Sequence, residues 1–368
     1  MGDNLKEKEK KDSKKSLPYW RKFFSVPYSE VMFFVQHLNV MLRAGISLGE
    51  AVNTLSEQAE NKTMKIALSD VAKRTNEGKS FAESLKRYPS IFEELFVNMI
   101  SAGELSGKYE EVLQEIYKHM KKSHEIKGKV KGAMIYPVVI LFAMIIIGII
   151  MMVFVIPKLI SIFDEVGAEL PLPTRILIAI SDNFLAYGPF VGAGVVVLGI
   201  ITAFMFKKEK PRRALHAFLL KLPIFGLIIK KVNIARFSRT LSSLLKTDIP
   251  IIQSLKITSN VLGNRLYREI LTESASEVKK GKTINTVLAK KPKLFFPVVI
   301  QMILVGEKTG SLDTILEELA DFYEEEINQT MDNLPSVIEP VLIIFLGVAV
   351  GAMAVALIMP LYSITEAV

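Results

Sequence analysis

Three runs of apolar residues limit the possible folds of this chain more than any other feature of its sequence. Residues 138–156, 188–206 and 341–359 are equally long and contain no ionisable side chain. A helix of roughly 19 residues is about 28 Å long, which matches the hydrocarbon core of a bilayer. Prolines flank the first and third runs: Pro137, Pro157, Pro340 and Pro360. We predict three transmembrane helices with span boundaries at these prolines; the alternative for each run is a buried helix of a soluble protein.

The distribution of lysine and arginine predicts how these helices are oriented. Five lysines precede the first run: Lys121, Lys122, Lys127, Lys129 and Lys131. Five basic residues follow the second run: Lys207, Lys208, Lys210, Arg212 and Arg213. The segment 157–187 contains only two basic residues, Lys158 and Arg175. By the positive-inside rule, 157–187 is an extracytoplasmic loop or helix and 360–368 a short extracytoplasmic tail, whereas the N-terminus and both basic flanks are cytoplasmic.

The net charge of +8 suggests either a nucleic acid or an anionic membrane surface as a partner. Because much of the basic charge lies beside the predicted spans, we favour membrane lipid and predict no nucleic-acid binding. Residues 1–27 form a charged tail in which no apolar stretch follows the Lys/Glu run, so we expect no export signal there. The aromatic residues of this tail suit either a membrane interface or plain packing: Tyr19, Trp20, Phe23 and Phe24.

An internal repeat relates the two halves of the chain at a constant offset in residue number, as in Phe34 and Phe237 or Pro137 and Pro340. Other identical pairs have the same offset: Leu38 and Leu241, Gly78 and Gly281, Phe92 and Phe295, Gly148 and Gly351. Equivalent domains should face the same solvent, so an even number of spans must separate them, and the first two runs supply that number. We therefore predict tandem, duplicated cytoplasmic bundles at 28–135 and 207–338.

The hydrophobic period within each unit is helical. Four residues form one apolar stripe on the first helix: Phe34, Leu38, Met41 and Leu42. Three residues are placed to cap the helices that follow: Ser47, Asn61 and Ser80, the last with Glu83 at the spacing of a capping box. We predict six helices per unit, no β-strands, and an all-α membrane protein.

A Gly-Glu-x-x-Gly element occurs once in each unit. Its residues are Gly103, Glu104 and Gly107 in the first unit and Gly306, Glu307 and Gly310 in the second. One interpretation makes the two glutamates contacts for a partner or a cation. The favoured interpretation is a structural corner, in which the glycines permit positive φ and the carboxylate caps the next helix or bonds its exposed amides.

No catalytic, cofactor or metal site is recognisable, so we predict that the protein is not an enzyme. The absence of cysteine excludes thiolate nucleophiles and cysteine-ligated zinc. The histidines lack metal-ligand spacing: His37, His119, His124 and His216. The Gly-Lys-Ser and Gly-Lys-Thr sequences at 78–80 and 281–283 lack the first glycine and the preceding strand of a phosphate loop.

The segments that lead into the first and third spans, which we call stems (107–135 and 310–338), differ in charge. Residues 118–131 contain six lysines and one acid, whereas the equivalent residues 321–334 contain five acids and no base. One interpretation is two solvated faces. The other is that the stems attract each other, within or between subunits. The candidate residues for this attraction are Lys121, Lys122, Glu324 and Glu325.

These features together resemble the type II secretion F and type IV pilus platform family, which also includes competence-system pilus proteins. The resemblance covers nearly all of residues 28–365. It is based on Leu-Arg-Ala-Gly-Ile-Ser-Leu at 42–48, both Gly-Glu-x-x-Gly elements, Tyr136-Pro137, and Leu-Pro-Leu-Pro-Thr at 170–174. The second unit departs from the family at Asp248, where the first has Gly45. We expect that corner to be built differently.

The resemblance implies an inner-membrane platform that couples a cytoplasmic assembly ATPase to the extraction of pilin or pseudopilin subunits and their polymerisation into a fibre. It implies as partners this ATPase, the pilins, other inner-membrane assembly proteins and further copies of the chain. The alternative is a component of a small-molecule transporter. Unequal numbers of uncharged spans in the two halves argue against it, because substrate pathways usually contain ionisable groups.

Overall fold

The computed structural model describes residues 26–158 and 209–366, with scattered positions between 175 and 199. Within these residues every regular element is a helix, which confirms the all-α class for the described part of the chain. The predicted second span at 188–206 and most of the loop 157–187 lie outside the described residues. So do residues 1–25 of the predicted tail and the last two residues of the chain.

The described part of the first half contains five helices before a much longer one. They are α1 (Tyr28–Arg43), α2 (Leu48–Gln58), α3 (Lys62–Asn76), α4 (Phe81–Lys86), α5 (Glu94–Ser106) and α6 (Tyr109–Ile150). The predicted caps are confirmed. The Ser47 side chain accepts a hydrogen bond from the Glu50 amide, and the Asn61 side chain accepts from the Thr63 and Met64 amides. The Ser80 side chain accepts from the Glu83 amide. Each cap satisfies donors that the first turn of a helix leaves without partners.

The second half repeats this order of helices after α7 (Glu209–Leu219), whose equivalent positions in the first half lie outside the described residues. The elements that follow are α8 (Phe225–Lys246), α9 (Ile251–Val261), α10 (Arg265–Val278), α11 (Ile284–Leu288), α12 (Pro297–Thr309) and α13 (Leu312–Glu366). Helices α9 and α12 begin and end at the repeat-equivalent positions of α2 and α5. The repeat seen in the sequence is therefore also a repeat of helix boundaries.

The helices of the first half pack around one apolar core. Phe34 and Leu38 of the predicted stripe are completely buried there, whereas Met41 and Leu42 lie half-buried at its edge. Each large apolar side chain removed from water contributes about 1.5–3 kcal/mol. Three residues of the second half join the same core: Leu244, Ile249 and Ile257.

The described residues form two compact units. One contains the residues up to Ile126 and Leu219–Glu326, and the other contains Lys127–Phe218 and the residues from Ile327 onward. Two helical segments, Tyr109–Lys158 and Leu312–Val348, are long and apolar enough to cross a membrane by length and composition. The domain boundaries predicted at 135 and 338 stay predictions.

The prolines at the predicted span boundaries do not end their helices. Pro137 lies inside α6, and Pro340 and Pro360 lie inside α13. Pro157 follows a π-helical turn, Met151–Val155. Because proline lacks an amide hydrogen and its ring repels the carbonyl four residues earlier, a widened turn just before it is expected. In that turn the Met152 carbonyl accepts a hydrogen bond of 3.0 Å from Ser181.

Candidate functional site

The carboxylate of Glu104 closes the N-terminus of α4. It accepts hydrogen bonds from the Phe81 amide at 2.9 Å, the Ala82 amide at 3.0 Å and the Ser80 hydroxyl at 2.8 Å. The two amides are among the donors that a helix start leaves unpaired, and the negative charge lies at the positive end of the helix dipole. Glu104 therefore fixes α4 against α5, although the bonded groups are far apart in the sequence.

Tyr109, the first residue of α6, belongs to the same corner. Burial of its ring raises the pKa of the phenol, and the nearby charge of Glu104 and a hydrogen bond to that carboxylate raise it further. The equivalent residue in the second half is Leu312, so this extra contact to the glutamate exists only in the first corner.

Glu307 performs the same capping in the second half. It accepts hydrogen bonds from the Ile284 amide and, at 3.1 Å, from the Asn285 amide at the start of α11. Thr283, which replaces Ser80, instead contacts the Asn285 side chain at 2.6 Å. The Glu307 carboxylate thus accepts hydrogen bonds from two donors on α11, whereas the Glu104 carboxylate accepts from three donors on and beside α4.

The corners correct two details of the prediction. Each glutamate caps the short helix that precedes it in the chain, not the helix that follows. Of the four glycines in the two elements, the two with positive φ are Gly107 and Gly310, both at 72°, where α5 and α12 end. Gly103 and Gly306 are helical, and a β-carbon on either would come within 3.0 Å of Val112 or Leu312. These two glycines therefore permit close packing and not an unusual backbone conformation.

The corner at Asp248 also differs from the prediction, because it is built like the one at Gly45. Asp248 has a φ of 60° and Gly45 a φ of 85°, and both amides bond the carbonyl three residues earlier. An aspartate tolerates this left-handed conformation better than most residues do. Its carboxylate accepts a hydrogen bond of 3.2 Å from Lys108, so the corner also joins the two halves through an exposed ion pair.

A cluster of charged residues, which we call the seam, lies between α8 and the two stems. Its members are Lys118, Lys122, Arg239, Lys246, Glu317, Asp321 and Glu324. Lys122 lies 3.5 Å from Glu324, so the structure brings together two of the four candidate residues for attraction between the stems. Both residues lie in the first compact unit, within a single chain.

Arg239 is the centre of the seam. Its Nε and Nη2 atoms donate to the two oxygens of Glu324, each over 2.9 Å, and Nη2 also bonds Asp321. Burial alone would lower the pKa of Arg239, but its bonds to the two carboxylates outweigh this and raise the pKa. A planar guanidinium paired with both oxygens of one carboxylate is a strong and directional contact.

Glu317, which precedes the apolar run of α13, connects the seam to the first stem. It pairs with Lys118 of α6 and Lys246 of α8. Burial by itself raises the pKa of this carboxyl group, but the hydrogen bonds from the two lysines outweigh that effect and lower the pKa to about 2. Glu317 is therefore ionised at every physiological pH.

Lys121 and Glu325 are not among the members of the seam. Both side chains are on exposed faces of their helices. The seam instead follows helical spacing, with lysines at 118 and 122 and acids at 317, 321 and 324. This spacing was a signal available in the sequence. Arg239 was missed because nothing in the sequence distinguishes it from Arg236, three residues earlier on the same helix.

In the second compact unit, Lys129 of the first stem donates to both carboxylate oxygens of Asp332 of the second, over 2.8 and 3.1 Å. The two residues occupy equivalent positions of the repeat. Equivalent positions that face each other require stems that run parallel and in register at this point.

The histidines and the loops that imitate phosphate sites have structural surroundings. Among the described residues, no group of three His, Cys, Asp or Glu side chains is placed to hold a metal ion. His37 bonds the Phe33 carbonyl at 2.9 Å, and His119 lies 3.1 Å from the Thr240 hydroxyl. Gly78 and Gly281 have positive φ just past the ends of α3 and α10, which is the ordinary use of glycine at a helix C-terminus.

Comparison with known proteins identifies the class of protein that has this duplicated helical pattern. The family described as type II secretion system protein F matches the chain twice, at residues 34–157 and 237–360. The chain therefore belongs to this family. The two matches are separated by the same offset as the two copies of the repeat.

Individual relatives match almost the whole chain. The type IV pilus assembly protein PilC of Thermus thermophilus is 35% identical over 91% of this chain and 82% of its own length. PilC of Myxococcus xanthus is 30% identical over 94% of this chain and 83% of its own. The type II secretion system protein F of Aeromonas hydrophila is 30% identical over 92% of this chain and 87% of its own length. None of these names denotes an enzyme.

Proposed function

We propose that this chain is the inner-membrane platform of a type IV pilus or type II secretion machine, and that it transmits the motion of a cytoplasmic assembly ATPase to pilin or pseudopilin subunits. The names of its relatives support a role in such machines. In the proposed architecture, two tandem six-helix bundles lie in the cytoplasm with the N-terminus, and three helices cross the membrane. The protein works without catalytic chemistry of its own.

The seam is the observation that best supports transmission. Lys118 and Lys122 of the first stem pair with Glu317 and Glu324 of the second, and Arg239 connects both acids to α8. A displacement of α8 therefore acts on both stems together. Helix α6 contains most of the first stem and its apolar run as far as Ile150, and α13 contains most of the second stem and the whole third run, so they can act as levers.

The partners follow from this division of the chain. The ATPase would contact the cytoplasmic bundles, whereas pilin helices and membrane lipids would contact the apolar runs. Glu104 and Glu307 cap helices in their corners, so we propose that they stabilise the fold and do not contact a partner. Further copies of the chain and other inner-membrane assembly proteins would complete the platform.

A reversible cross-link tests the lever hypothesis. The chain has no cysteine, so Lys129→Cys with Asp332→Cys gives one defined pair of thiols across the stems. If the stems must move relative to each other, a bis-maleimide linker with a disulfide in its middle should stop fibre assembly, and a reductant should restore it. The two single-cysteine variants, treated in the same way, are the matched controls.

The outcomes separate the parts of the proposal. Full assembly by the cross-linked chain would show that relative motion of the stems is not used. Normal pili and pseudopili after deletion of the gene would instead reject the platform role. Co-purification of the assembly ATPase tests the partner, and saturable uptake of a small molecule by vesicles would favour a transporter.

The topology has its own test. Lys62 and Arg265 occupy equivalent positions, at the first residues of α3 and α10. A membrane-impermeant maleimide should label Lys62→Cys and Arg265→Cys only after the cytoplasmic face is opened. Labelling of the two positions from opposite faces would contradict the arrangement of three spans.

A further inference from the structure

Helix α7 (Glu209–Leu219), whose repeat-equivalent positions 6–16 lie outside the described residues, is strongly amphipathic. At 3.6 residues per turn, one face contains the apolar residues Pro211, Ala214, Leu215 and Phe218. The opposite face contains Arg212, Arg213 and His216. A basic polar face opposite a narrow apolar face is typical of helices that lie in a membrane interface.

The apolar face of α7 is open in the folded chain. Phe218 is 59% exposed, and Ala214 is also exposed, while Leu215 is only half-buried. Arg212 and Arg213 are exposed on the other face. An exposed phenylalanine on a regular apolar face is unfavourable in water but favourable at the boundary between headgroups and acyl chains.

The position of α7 in the chain selects the bilayer as the surface that covers this face. The helix begins shortly after the predicted second span, 188–206, and follows Lys207 and Lys208. A connection of about three residues extends at most about 11 Å, so the start of α7 must lie close to the headgroups where that span ends. The basic residues match the negative charge of anionic lipids there.

We propose that α7 lies in the plane of the cytoplasmic membrane interface, with Phe218 inserted at the acyl boundary and Arg212 and Arg213 on anionic headgroups. The helix then holds the polypeptide at the membrane surface where it passes from the second span towards α8. This anchoring surface is additional to the three spans and to the role of the seam.

Site-directed spin labelling of the full-length protein in lipid vesicles tests this proposal. Because the chain has no cysteine, a nitroxide can be attached to Ala214→Cys or Phe218→Cys on the apolar face and to Arg212→Cys or Arg213→Cys on the polar face. We expect labels 214 and 218 to collide mainly with oxygen, at a depth of about 5–10 Å, and labels 212 and 213 mainly with a water-soluble nickel chelate. Lys65→Cys, exposed on α3, is the water-facing reference.

Vesicle composition tests the charge contribution. Replacing Arg212 and Arg213 together by alanine should reduce the ratio of inserted to water-exposed label 218 by about fivefold per arginine in phosphatidylglycerol vesicles. The same change should have little effect in pure phosphatidylcholine. Lys79→Ala with Lys86→Ala, on the first half of the chain, is the matched control for the loss of two charges.

Two results would overturn the proposal. Equal nickel access at 214, 218 and 212 would show a helix in water. Low access of both oxygen and nickel at 214 and 218 would show a helix covered by protein. An unchanged circular dichroism spectrum of each labelled variant ensures that the readout comes from folded protein. The inference rests on the second span of the proposed architecture, but the measurement needs no ATPase or pilin, so its failure is distinguishable from failure of the platform role.

Discussion

Arg239 on α8 donates to both carboxylate oxygens of Glu324 on α13, each over 2.9 Å, and both side chains are at most 6% exposed. The contact joins two helices that are distant in the sequence. Because both charges are desolvated, removal of Glu324 leaves the buried guanidinium with only the half-exposed Asp321 and with Glu317, at 3.9 Å, as its remaining partners. The cost of that loss exceeds the net value of the pair.

Glu324→Ala should therefore destabilise the folded chain by about 1–3 kcal/mol, because the guanidinium loses its two-oxygen partner but keeps Asp321. The matched control is Glu318→Ala, on an exposed face of the same helix, for which we expect a change within about 0.5 kcal/mol. Denaturant unfolding of the purified protein in detergent, followed by circular dichroism, measures both. The double variant Arg239→Met, Glu324→Leu should recover most of the loss, and equal effects of Glu324→Ala and Glu318→Ala would contradict the buried pair.

Glu104→Ala should destabilise α4 more than Glu307→Ala destabilises α11. Glu104→Ala leaves three hydrogen-bond donors without their acceptor and removes the contact with Tyr109, whereas Glu307→Ala leaves two donors without theirs. We expect each variant to lose about 1–3 kcal/mol of stability. In Glu104→Ala, amide hydrogen exchange should become faster first at Phe81 and Ala82. In Glu307→Ala, it should become faster first at Ile284 and Asn285. Ser80→Ala, which removes only one cap, should cost about 1 kcal/mol. Unchanged exchange at Phe81 would show that Glu104 does not hold this helix in solution.

Asp248→Gly should be neutral or stabilise the protein by up to about 1 kcal/mol, because glycine removes the strain of positive φ. The lost ion pair with Lys108 is half-exposed and weak. The converse change, Gly45→Asp, should destabilise by about 1 kcal/mol, and Asp248→Val by more, because a β-branched residue fits this conformation poorly. Thermal unfolding of the purified variants measures these differences. A large loss in Asp248→Gly that Lys108→Ala reproduces would show that the ion pair, and not the backbone, determines this corner.

Glu317 predicts a defined loss of stability in acid. Its folded pKa of about 2 lies below the value of about 4.3 in an unfolded chain, so its contribution is complete above the unfolded pKa and is lost as pH falls towards 2. Glu317→Gln cannot titrate and should be less stable than the unchanged chain at pH 7. The difference in unfolding midpoint between the two should shrink between about pH 5 and pH 2. A difference that is constant over this range would contradict the lowered pKa.

Some features of the fold could be predicted from the sequence because they depend on residues that are close together along the chain. The apolar stripe of α1 and the caps at Ser47, Asn61 and Ser80 involve residues close together along the chain, and the structure has them as predicted. The offset of the repeat reappears in the bounds of α9 and α12. Periodicity and capping are properties of a single helix, so they need no knowledge of the packing.

Other features depended on which surfaces meet. The sequence showed stems of opposite charge with four candidate residues, and only the packing places Lys122 beside Glu324 within one chain. The sequence could not select Arg239, because only packing brings α8 against the stems.

By itself, the sequence determined the helices, the repeat and the apolar runs, since short-range hydrogen bonding and hydrophobic spacing specify them. Only the tertiary structure decided that Glu104 caps the helix before it, that Asp248 adopts the conformation of Gly45, and that one buried arginine unites the seam. The physical reason is distance along the chain, because the capping carboxylate, the arginine pair and the Lys108 ion pair all join groups from separate helices or turns. The packing of many side chains selects such partners, and no local pattern encodes them.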